Sequence, residues 1–231
     1  KDTRTGTQFL PQSILLVGQP NTGVTPPSAR ALVTSANEVG TAYGFGSPLH
    51  QAAKGVFDNQ RGLPVYVAPL ADGATAATGT LTATGASTAA GTIQLTVSGI
   101  VGPVIAIPSG TAAADVPALI IAGMSGVIDS PVGFTDGGTG ILTLTAKWKG
   151  ESGNDIKFSA SVDSTGLSVA AVAMASGAGD VDPTTVLDAQ LGEEWVPIVV
   201  NCQAATAPVL TAFSTKSEER WVADVRRAFI T

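Results

Sequence analysis

Few stretches of this chain carry residue types spaced for chemistry. Gly18-Gln19-Pro20-Asn21-Thr22-Gly23-Val24-Thr25 follows an apolar run, and its glycines have the spacing of a phosphate-binding loop. Such a loop needs a lysine directly after the second glycine to reach the β- and γ-phosphates; here that residue is Val24. Pro20 removes an amide from the would-be cradle, and Pro26 and Pro27 stand where a helix should begin. The stretch therefore reads as a connecting loop. His50 is the only histidine. No Gly-x-Ser-x-Gly elbow accompanies it, so it reads as a helix-surface or interface residue rather than a member of a Ser-His-Asp triad. Asp129, Asp136, Asp155 and Asp163 are candidates for a calcium site, but they lack the alternating Asp-x-Asp-x-Asp-Gly pattern and read as solvated turn residues. One histidine and one cysteine cannot build a structural zinc site. Cys202 closes the apolar run Trp195–Cys202 and reads as a buried, inert thiol. No catalytic, cofactor-binding or metal-binding residue is assigned, and the expectation is a protein that is not an enzyme. A deep pocket gathering His50 with a buried carboxylate and a serine would reverse that.

The elements that would position these residues fall into three zones. Residues 10–70 read as the first part of an α/β core domain. Ile14–Val17 has the length and continuous apolar character of a buried parallel strand, and Ala31–Val33 and Val65–Ala68 are further strands. Ser35 and Glu38 have capping-box spacing for a helix that stops at Gly44. Ser47-Pro48 opens a second helix, which carries Leu49, Ala52, Ala53, Val56 and Phe57 on one face and ends at Gly62.

Residues 71–180 read as an inserted β-rich domain, a small sandwich or barrel. Period-two runs at 80–84 and 92–97 are followed by strands at 104–107, 141–148, 156–160 and 167–172, separated by glycine turns. One helix is expected over Asp115–Gly123, with Asp115 as its cap. Lys149–Phe158 reads as a turn between strands, with Gly150 and Gly153 giving backbone freedom. No charged residue lies between Asp72 and Asp115, while the zone as a whole has eight acids and three bases, or −5 of the total charge of −6.

Residues 181–231 read as a return to the α/β core. Thr184 or Thr185 caps a helix ending at Gly192, Pro197–Asn201 is a buried strand, and Thr206 and Pro208 open a helix bearing Leu210, Phe213 and Trp221. Glu193-Glu194 and Glu218-Glu219-Arg220 read as solvated helix ends or as partners of a neighbouring subunit. The fold class expected is thus an α/β core domain interrupted by an inserted all-β domain, α+β overall. Splitting one fold around another requires 10–70 and 182–223 to share a sheet.

The net charge of −6 argues against nucleic acid, which is bound through a basic stripe. Charged residues make 13% of the chain, about half the average for globular proteins, which suits a subunit packed against its own copies. No apolar run reaches the roughly 18 residues of a membrane span. The sequence begins at Lys1 rather than Met, as expected of a fragment or trimmed product.

Several segments, in order, carry a likeness to a known family: Leu15–Gln19, Val33–Glu38, Gly44–His50, Val67–Leu70, the Thr/Ala-rich centre, Gly150–Ile156, Gly192–Trp195 and Glu219-Arg220-Trp221. In this order and spacing the chain resembles the tail sheath proteins of Mu-like contractile-tailed bacteriophages. The resemblance implies hexameric rings stacked helically around a tail tube, with terminal arms adding strands to neighbours' sheets. It also implies a metastable sheath that shortens when the baseplate triggers it and drives the tube through the host envelope. The implied partners are other copies of the chain, the tail tube protein, and baseplate and tail terminator proteins. The implied location is the virion tail, after assembly in the host bacterial cytoplasm. Residues 71–180 would protrude outward. Sheath proteins of this kind are longer, so the later core and the tube-facing C-terminal domain are expected to be missing. Residues 222–231 do not continue the pattern. Two alternatives stand beside this reading: the sheath of a phage-derived contractile bacteriocin or injection system, and, in a different class, a surface adhesive β-domain module.

Overall fold

A computed structural model describes residues 12–26, 29–59, 62–192 and 194–221. The chain is of mixed α+β class. Its first sheet has the order β11-β1-β3-β2, with β1 (Ile14–Gly18), β2 (Ala31–Val33), β3 (Val65–Pro69) and β11 (Ile198–Asn201). β1 runs parallel to both β3 and β11, and β2 pairs antiparallel with β3 at the edge. Strands from the two ends of the sequence therefore share this sheet.

Every residue of β1 is buried because helices cover both faces. Alternation along the strand sends Ile14 and Leu16 toward α1 (Ala36–Tyr43) and α2 (Pro48–Asn59), where they meet Val39, Tyr43, Leu49 and Ala53. Leu15 and Val17 face α4 (Thr184–Leu191) and α5 (Ala207–Arg220), where they meet Leu187, Leu191, Val209 and Phe213. A continuous apolar run is what a strand covered on both faces requires.

The helix starts follow the sequence only in part. Ser35 accepts the Glu38 amide at 3.2 Å, but the Glu38 carboxylate reaches past the cap to the amide and hydroxyl of Thr34, at 2.7 and 2.9 Å. Ser47 accepts the His50 amide at 3.1 Å. At α4 neither threonine caps. Asp182 takes the amide and hydroxyl of Thr184 instead, at 2.9 and 2.6 Å. Thr206 makes no side-chain cap bond to α5. Of the apolar residues expected on α5, Phe213 is buried, whereas Leu210 and Trp221 are exposed.

Residues 76–175 build two further sheets, ordered β10-β4-β8-β7 and β6-β5-β9. Their strands are β4 (Ala76–Gly85), β5 (Gly91–Val97), β6 (Ile100–Ile107), β7 (Val132–Asp136), β8 (Ile141–Lys149), β9 (Phe158–Asp163) and β10 (Leu167–Ala175). The inner faces of both sheets and α3 (Val116–Met124) share one apolar cluster, which includes Leu81, Ile93, Leu95, Ile107, Ile120, Leu142 and Leu144. Two sheets closing on one core make a sandwich, not a barrel. Two sequence expectations are corrected here. Asp115 precedes α3 in helical backbone geometry and makes no side-chain cap bond. The short edge strand β7 was not expected, since Val132–Asp136 buries only its first residue and shows no clear alternation.

Candidate functional site: the neck between sheet and sandwich

The chain leaves the first sheet after β3 and returns before α4, and the two crossings are bonded to each other. The Thr75 amide donates to the Ala178 carbonyl at 3.1 Å, and the Ala178 amide donates back at 3.2 Å. The turn after β8 wedges against this pair. The Gly150 amide donates to the Thr75 carbonyl at 2.9 Å, and the Gly73 amide donates to the Lys149 carbonyl at 3.2 Å. Asn154 clasps Gly177 with both ends of its amide, at 2.9 and 2.8 Å. Asp180 Oδ1 accepts the Glu151 amide at 2.7 Å. Asp72 joins Lys149 to the first sheet, accepting the Lys149 amide at 2.8 Å and the Thr22 hydroxyl at 2.6 Å.

Two glycines permit this approach. Gly150 has φ 133° and ψ 172°, a conformation that side chains other than glycine's rarely enter. A Cβ at Gly73 would lie 2.6 Å from the Lys149 carbonyl oxygen and 2.7 Å from that of Gly179, closer than packed atoms come. The Lys149–Phe158 stretch, expected to be a turn between strands, holds a 3₁₀ turn over Glu151–Asp155 that, with Gly150, welds both crossings to the end of β8.

The neck stands on a particular spot of the first sheet. From β1 the chain moves to β3 on one side, and from β3 it later moves to β11 on the other. In open parallel sheets, ligands bind outside the carboxyl ends of the strands at such a reversal. Here Gln19, at the carboxyl end of β1 and fully buried, donates its Nε2 to the Lys149 carbonyl at 2.6 Å and the Ala71 carbonyl at 3.3 Å. The neck thus fills the position that a ligand takes in binding proteins of this topology. A hollow of about 390 Å³ remains beside it, bordered by Asn21, Thr22, Val24 and Asp72. Three of the loop amides beside it are engaged: Asn21 donates to Tyr43, Thr22 to Lys147 and Val24 to Asn21. Val24 stands where a phosphate loop carries its lysine, and these three amides point to protein carbonyls.

His50 is not a surface residue. It is 1% exposed, in the first turn of α2, packed edge-on against Phe45 with ring centroids 5.1 Å apart. Its Nδ1 accepts the Gly46 amide at 3.1 Å, so the neutral ring carries its proton on Nε2, which faces Asp129 Oδ1 at 3.9 Å. Asp129 also pairs with Lys54, and its carbonyl accepts the Gln51 side chain at 2.9 Å. Lys147 donates to the carbonyls of Phe45 and Ile128, each at 3.1 Å. Through α2 this makes a second contact between the first sheet's layer and the sandwich. It is not a triad: Ser47 serves as a helix cap, and the buried Ser130 hydroxyl donates to the Val132 carbonyl at 3.0 Å.

The remaining candidates are dispersed. Asp136 accepts the Gly138 amide in its own turn at 2.8 Å, and Asp155 and Asp163 are exposed on separate segments. No group of three metal-ligating side chains gathers among the described residues. Cys202 keeps some exposure as a residue, yet burial pushes its thiol up to about 12, so the sulfur stays protonated and a poor nucleophile.

Glu194, Glu218 and Glu219 are exposed, as solvated helix ends are, while Glu194 and Arg220 also make ties within the chain. Glu194 pairs with Arg30, whose guanidinium also lies 4.9 Å from the Tyr66 ring centre and donates to the Gln190 carbonyl at 3.1 Å. Arg220 is buried and donates to the carbonyls of Gly192 and Glu194 at 2.6 and 2.5 Å. Glu193 and residues 222–231 lie outside the described residues.

Burial holds the His50 imidazole below its ordinary range, while Asp129 pulls it upward and Lys54 and Lys147 push it down. The unfolded chain takes up a proton near pH 6.5, where the folded one still resists, so stability is lost as pH falls below that value. The expected slope below about pH 6.5 is at most ~1.4 kcal/mol per pH unit. Urea titrations of the wild type and His50→Asn, which keeps an acceptor for Gly46, should show this slope only in the wild type. Equal slopes would remove His50 as its source.

No protein-family profile matches this chain, and no curated protein is similar to it. No helix among the described residues is long and apolar enough to cross a membrane.

Proposed function

We propose that this chain is a structural subunit of a contractile tail sheath, assembling with its own copies around a tail tube and transmitting force rather than performing catalysis. The observation that carries the reading is the filled crevice. The position where a parallel sheet would hold a ligand is occupied by Gln19, Ala71 and Lys149, which fasten the sandwich to the sheet. A subunit that must move as one piece during contraction needs such a joint, because slack at the neck would dissipate motion instead of passing it on. The segments behind the family resemblance contribute to the same construction. Leu15–Gln19 forms β1 and its anchor, Val33–Glu38 and Gly44–His50 start the two helices, and Gly150–Ile156 forms the neck turn. The free energy of contraction would reside in contacts between subunits that have two alternative packings, with no nucleotide required. A bacteriocin-type device would use the same mechanics.

Negative-stain electron microscopy of the polypeptide as its gene encodes it, alone and coexpressed with its tail tube protein, tests this reading. Hollow striated tubes or six-fold rings are expected. Monodisperse globular particles in both preparations would overturn it and favour the adhesive module.

A further inference from the structure

The contact between α2 and the sandwich differs in kind from the neck. The neck is built on bonds to backbone groups. The α2 contact rests on charged and titratable side chains: His50, Asp129, Lys54 and Lys147. Apolar packing does not back it. Among the described residues, the apolar cluster under α1 and α2 and that of the sandwich have no member in common. A hollow of about 310 Å³ opens between the layers, lined by Pro48, Gln51 and Ala52 of α2 and by Pro131, Trp148 and Ser152 opposite. His50 sits where this contact is tightest. Its Nδ1 takes the Gly46 amide at 3.1 Å. Gly46 is itself pressed on the sandwich, since a Cβ there would lie 2.2 Å from the Ser130 carbonyl oxygen. The carbonyl of Phe45, one residue earlier, receives Lys147 at 3.1 Å.

A second proton can enter the ring only at Nδ1, and there it would set two N–H donors face to face in a site that is 1% exposed. A buried bond then becomes a repulsion. Three charged groups act on the ring: Asp129 from the loop before β7, Lys54 from α2 itself and Lys147 from β8. α1 meets it at Gly40. Asp129 favours a charged ring, but it lies 3.9 Å away and is engaged by Lys54. We propose that this contact is an acid-released latch: protonation of His50 frees the Phe45-Gly46 turn from Ser130 and Lys147, leaving the sandwich tied to the first sheet by the neck and by the Thr22 amide's bond to Lys147. A released ring takes its proton in water, near pH 6.5. The open form therefore gains population below about pH 6.5, by at most about tenfold for each pH unit. At neutral pH the latch is shut and the two layers move together. The latch does not depend on what the chain assembles into.

Hydrogen exchange on the full chain, followed by mass spectrometry and corrected for the intrinsic pH dependence of amide exchange, reads the latch directly. Between about pH 6.5 and about 5.5 the open population reported by peptides covering 44–51 and 127–132 should rise about three- to fivefold. Peptides covering 71–78 and 176–181, at the neck, should show no rise. His50→Asn, which keeps an acceptor for Gly46, should abolish the rise. Lys54→Gln, at a partly exposed position, frees Asp129 to pair with the charged ring and should hold the rise below about twofold. Where His50→Asn does not fold, Lys54→Gln decides alone. An open population that ignores pH would overturn the proposal, and so would an unchanged rise in either variant. An equal rise at the neck would also overturn it, because the whole chain would then be opening rather than the latch.

Discussion

Gly150→Val is expected to destabilise the protein by about 2–6 kcal/mol, summing the cost of a branched residue in a glycine-only conformation and of overpacking. The backbone at Gly150 has φ 133°, and a Cβ there would lie 2.9 Å from Asp180 Oδ1 and 3.4 Å from Gln19 Oε1. Relief requires the turn to move, which breaks the bond from the Gly150 amide to Thr75 and that from the Glu151 amide to Asp180. The damage should therefore appear first at the neck. Hydrogen exchange should accelerate in peptides covering 71–78 and 176–181 before it changes in β5 or α1. Gly133→Ala is the matched control: a Cβ there meets nothing within 4 Å, so a change within about 0.5 kcal/mol is expected. Unchanged exchange at the neck in Gly150→Val would show that this turn does not hold the two crossings.

Phe213→Ala is expected to cost about 3–5 kcal/mol, the usual loss for a buried phenylalanine. Phe213 is 1% exposed and, with Val209, ties α5 to the face of the first sheet formed by Leu15 and Val17. That loss approaches the whole stability of a small domain, about 5–15 kcal/mol. Trp221→Ala, by contrast, should change stability by no more than about 0.5 kcal/mol, since Trp221 is 68% exposed. Urea unfolding followed by circular dichroism checks both. A large effect of Trp221→Ala alone would mean that this ring is covered in the folded protein.

The contrast between these two aromatic residues marks how far sequence reading extends. Phe213 lies in α5 and Trp221 directly follows its last residue; helix periodicity suggests an apolar stripe without saying which members find a partner. The strands were legible where local pattern dictates the outcome: the uninterrupted run of β1, and the alternation of β4, β5 and β8, whose buried residues recur at every second position. The caps at Ser35 and Ser47 were legible because a hydroxyl and an amide three residues on are local partners. Thr184 misled because Asp182, two residues earlier, offers a charged acceptor to the amide and hydroxyl of Thr184 itself. β7 was missed because an edge strand with one buried residue carries almost no pattern. The His50 ring was misplaced because its burial comes from the Ile128–Ser130 loop and Lys147, far along the chain. The neck joins segments 23 to 130 residues apart, at Gln19, Asp72–Thr75, Lys149–Asn154 and Gly177–Asp180. No local spacing encodes such a junction. What the sequence does display there is its glycines, whose purpose is clear only once the three strands of backbone are seen side by side.

Because the outgoing and returning crossings are hydrogen-bonded neighbours at Thr75 and Ala178, the hundred or so residues between them start and finish at one point. The first sheet need not stretch or shift to accommodate whatever is carried there. The sandwich is in this sense a cassette. A gene could exchange it for a larger, smaller or unrelated module, provided that the newcomer presents a carbonyl to Gln19 and tolerates the close backbone packing of Gly73. Sandwich and first sheet are thereby free to diverge at different rates, and the same junction is the natural place to graft a foreign domain onto the sheet.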